Sequence, residues 1–262
     1  MHALEKRKKK RLLLLAPVFF LWGCMAVPPG PGYSDQELLP SLDGCGQFVQ
    51  HKAYSLCYSE TDEQARWVFY RLTKAMCGTN AVKRNDRFIP DPMVATGSAE
   101  TGDYKNSGFD RGHLCPAGDM NWSEETMQES FYMSNMSPQL HAFNAGIWEK
   151  LEGRVRKWAE GKGEVVVITG GILKPGLQKI GEKNKVSVPD HFFKIIYSGN
   201  NGPSAIGFVI PNGPCPGKSY LDFAMTVDSV EKLTGIDFFP RMSDSIEQPM
   251  EAKFSRAEWL DK

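Results

Sequence analysis

Four consecutive residues, Asp110-Arg111-Gly112-His113, place a guanidinium and an imidazole two positions apart across a glycine. Hydrolysis of a phosphate ester calls for that pair. A guanidinium grips phosphate oxygens in a fork, and an imidazole is a base that is neutral near pH 7. His113 could take a proton from water as that water attacks phosphorus, and Arg111 could hold a phosphate oxygen. A lone histidine is more often a hydrogen-bonded core residue, so the reading rests on what surrounds it.

Two further stretches follow, Ser134-Asn135-Met136-Ser137-Pro138-Gln139 and Asn144 through Glu152. The amide oxygen of Asn144 suits a hard cation. Mg2+ prefers oxygen donors and keeps several waters, so one or two protein ligands suffice and no acidic cluster is needed. The alternative role for Asn144 is a helix cap. If the stretch is a straight helix, Glu152 lies about 12 Å further along the axis and about 80° round from Asn144. It would then reach metal-bound water, not the ion. Trp148, Leu151, Val155 and Trp158 form the apolar stripe of that helix.

In this order and spacing, the three stretches resemble the DNA/RNA non-specific endonucleases, over roughly residues 50–245. The resemblance implies an α+β domain: a central, mainly antiparallel sheet flanked by helices, with a beta-beta-alpha metal motif at the active site. It implies an enzyme that uses Mg2+, or Mn2+ or another divalent ion in its place. Its substrates would be DNA and RNA, cut with little sequence selectivity to leave 5′-phosphates. His113 would be the general base, Arg111 a phosphate ligand, Asn144 the metal ligand and Glu152 a partner of metal-bound water. Asn135 would help to hold the histidine and the metal side, and Asp110 would be structural. The family draws an arginine from a loop like Arg84–Pro92, which makes Arg84 and Arg87 both candidates. His141 is a second imidazole nearby, but the motif places nothing catalytic there.

These residues need a scaffold. Tyr54–Ser59 reads as a strand, and Asp62–Lys74 as a helix with Ala65, Val68, Phe69 and Leu72 on one face, capped by Thr61 or Asp62 and ending before Gly78. Val165–Thr169 is a β-branched run expected to end in a Gly170-Gly171 turn. Phe192–Tyr197 and Ala205–Ile210 read as strands joined by a hairpin-like loop. Asp228 to Glu231 looks like a capping box opening a helix that ends near Gly235. Gly213-Pro-Cys-Pro-Gly217-Lys218-Ser219 is a near miss to a P-loop. It is one residue short, and Pro214 and Pro216 lack the N–H groups a phosphate would need.

The chain of 262 residues carries 31 basic and 31 acidic residues. Six of the basic ones lie within the first 24 residues with one acidic residue, so the remainder holds 25 against 30, a net charge of −5. Attraction of a polyanion must then be local. The same charge motivates the rival reading, a catalytically inactive surface-anchored module that binds nucleic acid or protein.

Lys6–Arg11 followed by the apolar run Leu12–Trp22 fits a signal peptide, and the run is too short for a comfortable membrane span. Leu21-Trp22-Gly23-Cys24 resembles a bacterial lipoprotein processing site, with Cys24 the residue lipidated. The expectation is residues 1–24 as signal, 25–45 as a Pro/Gly-rich linker and 46–262 as the endonuclease domain. The protein would be exported and anchored to a membrane by lipid, or else periplasmic or secreted. Export permits disulfides among Cys45, Cys57, Cys77, Cys115 and Cys215, without fixing which pair. Cys57 and Cys115 serve equally well as small buried hydrophobes.

Overall fold

The computed structural model describes residues 33–259. The signal-like segment, Cys24 and the first part of the expected linker lie outside the described residues. Helix α1 (Asp35–Leu38) precedes three consecutive strands, β1 (Gln47–Gln50), β2 (Tyr54–Ser59) and β3 (Gln64–Thr73), and the short α2 (Lys74–Cys77). A ribbon of β4 (Asp110–His113) and β5 (Met136–Gln139) brackets α3 (Glu124–Ser130), and α4 (Glu149–Lys162) follows it. The chain then returns to the main sheet with β6 (Glu164–Gly171). A small hairpin, β7 (Lys179–Ile180) and β8 (Val186–Ser187), leads to β9 (His191–Ser198), β10 (Ser204–Pro211) and β11 (Ala224–Met225). Helices α5 (Val227–Thr234), α6 (Asp244–Glu251) and α7 (Arg256–Trp259) complete the described chain.

The main sheet runs β1-β2-β3-β6-β9-β10-β11, and its neighbouring strands pair antiparallel. Each face has its own core. On one face Tyr70, Leu72, Val167 and Ile196 pack with Trp148, Leu151 and Val155 of the α4 arm. On the other, Trp67, Phe69, Ile168 and Ile195 pack with Leu38, Val227, Val230 and Met250. The beta-beta-alpha unit of β4, β5 and α4 sits on the first face, so the architecture is the α+β arrangement expected.

Double coverage explains the main error in reading elements from sequence. Residues 64–73 form β3, not a helix. Ala65, Val68, Phe69 and Leu72 do fall at helical spacing, but Trp67 and Tyr70 are buried as well. A strand covered on both faces loses its polar alternation, and periodicity alone cannot then tell it from a helix. The helix begins only at Lys74. Thr73 accepts the Met76 N–H at 3.3 Å as its cap, and Gly78 closes it.

Three smaller corrections concern a turn, a helix cap and the linker. Gly170 and Gly171 continue β6 instead of turning, opposite Phe193 and Phe192. A methyl group on Gly170 would run into the Arg66 carbonyl oxygen, and one on Gly171 into Pro189. Helix α5 is capped by Thr226, not Asp228, and Glu231 instead accepts the Phe238 N–H. The expected linker stops short of residue 45: Leu38 is fully buried, Arg71 pairs with Asp35 at 2.6 Å, and Cys45 is disulfide-bonded to Cys57 on β2. Cys115 is a buried free thiol, and Cys77 and Cys215 are free. The strands at β2, β9 and β10 and the helix end at Gly235 stand where expected.

Candidate active site

Because β4 is extended, Arg111 and His113 share one side of it and Gly112 faces the other. Gly112 does not turn the chain. Its role is close approach: a Cβ there would overlap the buried Gln139 side chain on β5. Asn135 lies beneath this ribbon, fully buried. Its carboxamide accepts the Cys115 N–H at 2.9 Å and donates to the carbonyls of Cys115 (2.9 Å) and Ser130 (2.8 Å). It therefore staples the backbone two residues past His113 and does not face the cleft.

The opposite wall comes from the arm leading into α4. Phe143–Trp148 forms a π-helical turn, broken at Gly146 (φ −114°, ψ −106°), and only then does α4 begin. The straight-helix estimate of the Asn144–Glu152 separation therefore does not apply. Such wide turns often occur where a side chain must be re-aimed for function. The Asn144 amide nitrogen donates to Asp110 Oδ2 at 2.9 Å. With that end of the carboxamide committed, its oxygen is the group left for a cation. Asp110 also pairs with Nδ1 of the exposed His141 at 2.9 Å, and His141 lines neither cavity.

Between the two walls lies a cavity of about 330 Å³, lined by Arg84, Arg111, His113, Asn144, Glu152 and Arg156 among others. Arg84, Arg111 and Asn144 also line a wider cavity of about 640 Å³, reached by Lys105 and Tyr104, so the two form one groove. Of the residues singled out in the sequence, the groove gathers Arg84, Arg111, His113, Asn144 and Glu152. It leaves out Asn135 and the exposed Arg87.

An aromatic pair braces the β4 wall. The His113 ring meets Phe131 edge-on at 4.9 Å and lies 5.9 Å from Phe88. The Arg84 guanidinium lies over Phe131 at 5.0 Å and that of Arg111 over Phe88 at 4.2 Å. Burial, reinforced by the Arg84 charge, pushes the His113 imidazole down to about 3. Its Nε2 is buried without a protein partner. His113 is thus neutral across the whole near-neutral range in the free protein.

The α4 wall is charged. Burial pushes Glu152 up to about 7, with Asp119 adding to the rise, while Lys194 and Arg156 oppose it. Arg156 donates to Asp119 at 2.7 Å, and Asp119 also accepts the Tyr70 hydroxyl at 2.9 Å. Lys194 is fully buried on β9, its ammonium 4.4 Å above the Trp148 ring and without a hydrogen-bond partner. Sequence reasoning missed Arg156, Lys194 and both braces. Arg156 had a signal, four residues past Glu152 on a helix. Lys194 had one too, a charge inside Phe192-Phe193-Lys194-Ile195-Ile196. Phe88 and Phe131 had none.

Residues 40–245 match the family described as DNA/RNA non-specific endonuclease. The chain belongs to that family. Among its relatives, the mitochondrial nuclease EXOG of Danio rerio is 36% identical over 71% of this chain and 59% of its own. Mitochondrial endonuclease G of Bos taurus is 33% identical over 88% of this chain and 82% of its own. Nuclease C1 of Cunninghamella echinulata is 33% identical over 76% of this chain and 84% of its own. The chain spans under three fifths of the length of several EXOG relatives it matches. A crystal structure of an EndoG/EndoGI complex superposes with a TM-score of 0.70 at 30% identity, covering 76% of this chain and 88% of that one. The groove is lined by residues of two of the three stretches, Asp110–His113 and Asn144–Glu152, while the stretch holding Asn135 lies beneath it.

Proposed function

We propose that this protein is a metal-dependent endonuclease that hydrolyses phosphodiester bonds in DNA and RNA with little sequence selectivity. The observation that carries the reading is a single groove in which a neutral imidazole faces an Asp110-oriented carboxamide across a cavity framed by arginines. Arg111 and Arg84, held over Phe88 and Phe131, fork the phosphate oxygens. His113 accepts the proton of the attacking water at an imidazole nitrogen. Burial makes it a weak base in the free protein, and a phosphate anion beside it raises its proton affinity when substrate arrives. The Asn144 oxygen would hold a hard divalent ion, Mg2+ first, and Glu152 would hold that ion's waters. When bound, such an ion stabilises charge on the phosphate and on the departing 3′ oxygen. The local arginines and Lys105 supply the attraction that a net charge of −5 outside the first 24 residues does not.

The test is cleavage of single- and double-stranded DNA and RNA by the purified protein, with a metal series and with EDTA. Normal turnover by His113→Ala, or undiminished cleavage in EDTA, overturns the assignment. We also propose that the N-terminal segment directs export and that Cys24 carries a lipid anchor. Labelling with radioactive palmitate, lost in Cys24→Ser, is the expected result. Unlabelled wild-type protein rules the anchor out.

A further inference from the structure

On the sheet face away from the groove, α5 and α6 bring Asp228, Glu231 and Glu251 together. One carboxylate oxygen of each lies within 4.8 Å of the others. Asp228 and Glu231 are half-buried, and Glu251 is only 6% exposed. Its Oε1 is sealed from solvent and receives no hydrogen bond. Glu231 already accepts the Phe238 N–H at 2.9 Å. Glu247 and Asp237 add negative charge nearby. Among the described residues, none of these five carboxylates takes part in an ion pair.

An ionised carboxylate buried without a partner is strongly unfavourable, so something positive must balance the group: protons or a cation. Burial and the neighbouring carboxylates push Glu251 up to about 8 and Glu231 up to about 7, which is how the site behaves when it holds only protons. Three oxygens no more than 4.8 Å apart can all reach one ion that binds oxygen at about 2.4 Å, as Ca2+ does, and the remaining positions fall to water.

We propose that Asp228, Glu231 and Glu251 form a second cation site, for Ca2+ or a hard ion of similar size, that ties α6 to α5 independently of the groove. The experiment is calorimetric titration of Ca2+ alone, at pH 8, into the full chain carrying Asn144→Ala, which removes the groove's own ligand. One Ca2+ per chain is expected, with a melting temperature that rises with Ca2+ concentration. Adding Glu251→Gln or Asp228→Asn should weaken binding at least tenfold and abolish that rise. Absence of binding in Asn144→Ala overturns the proposal, as does equal binding after either further change. Should Glu251→Gln fail to fold, Asp228→Asn decides. A third result also overturns it: metal-free stabilisation by Glu251→Gln with no response of the parent to Ca2+, which would show that protons balance the site.

Discussion

On the β4 wall, desolvation removes charge from His113 and leaves it neutral, the form a base needs. On the α4 wall the same desolvation works against Glu152, whose proposed use in holding metal waters requires the ionised form. The β4 wall accordingly surrounds its titratable group with rings, Phe88 and Phe131, and lets burial act. The α4 wall surrounds its group with cations, Lys194 and Arg156, that oppose burial. Two faces of one cavity thus need opposite surroundings, because a base and a carboxylate are neutral on opposite sides of their titrations.

The sharpest way to break this contrast is to remove the group on the aromatic wall. His113→Ala should lower kcat by about 10²–10⁴-fold, the usual contribution of a positioned base. Circular dichroism should report an unchanged fold. A loss under tenfold would place the base elsewhere.

Removing the charge on the other wall should cost less. Glu152→Gln should lower activity or metal affinity by about 10–100-fold, the range for groups that act through a metal's waters. The pH profile separates the walls. With Glu152 at about 7 and His113 at about 3 in the free protein, the acid limb of kcat/KM at low metal concentration belongs to Glu152, and kcat/KM falls as pH drops through 7. Higher metal concentration should move that limb to lower pH. Stability runs the other way. A carboxylate whose folded pKa exceeds its unfolded value loses stabilisation as pH rises from about 4.5 through 7. The melting advantage of Glu152→Gln over wild type should widen across that window. A flat rate profile down to pH 5 would contradict both statements.

Arg84 and Arg87 test whether the groove or the loop matters. Arg84 lines the groove over Phe131, whereas Arg87 is exposed and outside it. Arg84→Ala should raise KM about tenfold, on the order of 1.5 kcal/mol for a charge-assisted phosphate contact. Arg87→Ala should stay within about twofold. Equal effects would mean that general loop charge recruits the substrate.

What could be read from the sequence follows the same division. That β4 and Asn144 share one site was legible because motif spacing survives in one dimension. The strands at β2, β9 and β10 were legible because apolar runs ended in turn residues. β3 was not, because a helical layer on each face erased its alternation. The close approach at Gly112 was not legible because its partner, Gln139, lies 27 positions away and meets it only through strand pairing. Asn135 and Arg87 have residue types suited to the site but do not line the groove: Asn135 lies below it, stapling the backbone two residues past His113, and Arg87 lies outside it. Depth is set by packing, which neither motif encodes.

Lys194 should give the smallest effect and the finest test of the contrast. Burial lowers its proton affinity while Glu152 and Asp119 raise it, and its charge in turn favours ionised Glu152. Lys194→Met keeps the volume beside Trp148 and deletes only that charge. Glu152 should then bind its proton more tightly, so the acid limb should move to higher pH by roughly one unit, equivalent to about 1.4 kcal/mol. The rate on the alkaline plateau should stay within about threefold. A purely structural lysine predicts the reverse, a lower plateau with an unmoved limb. In Glu152→Gln the Lys194→Met change should leave the profile where it was, because the group it acts on has gone. A shift that persists in the double variant would mean that Lys194 acts on another carboxylate, with Asp119 the first to examine.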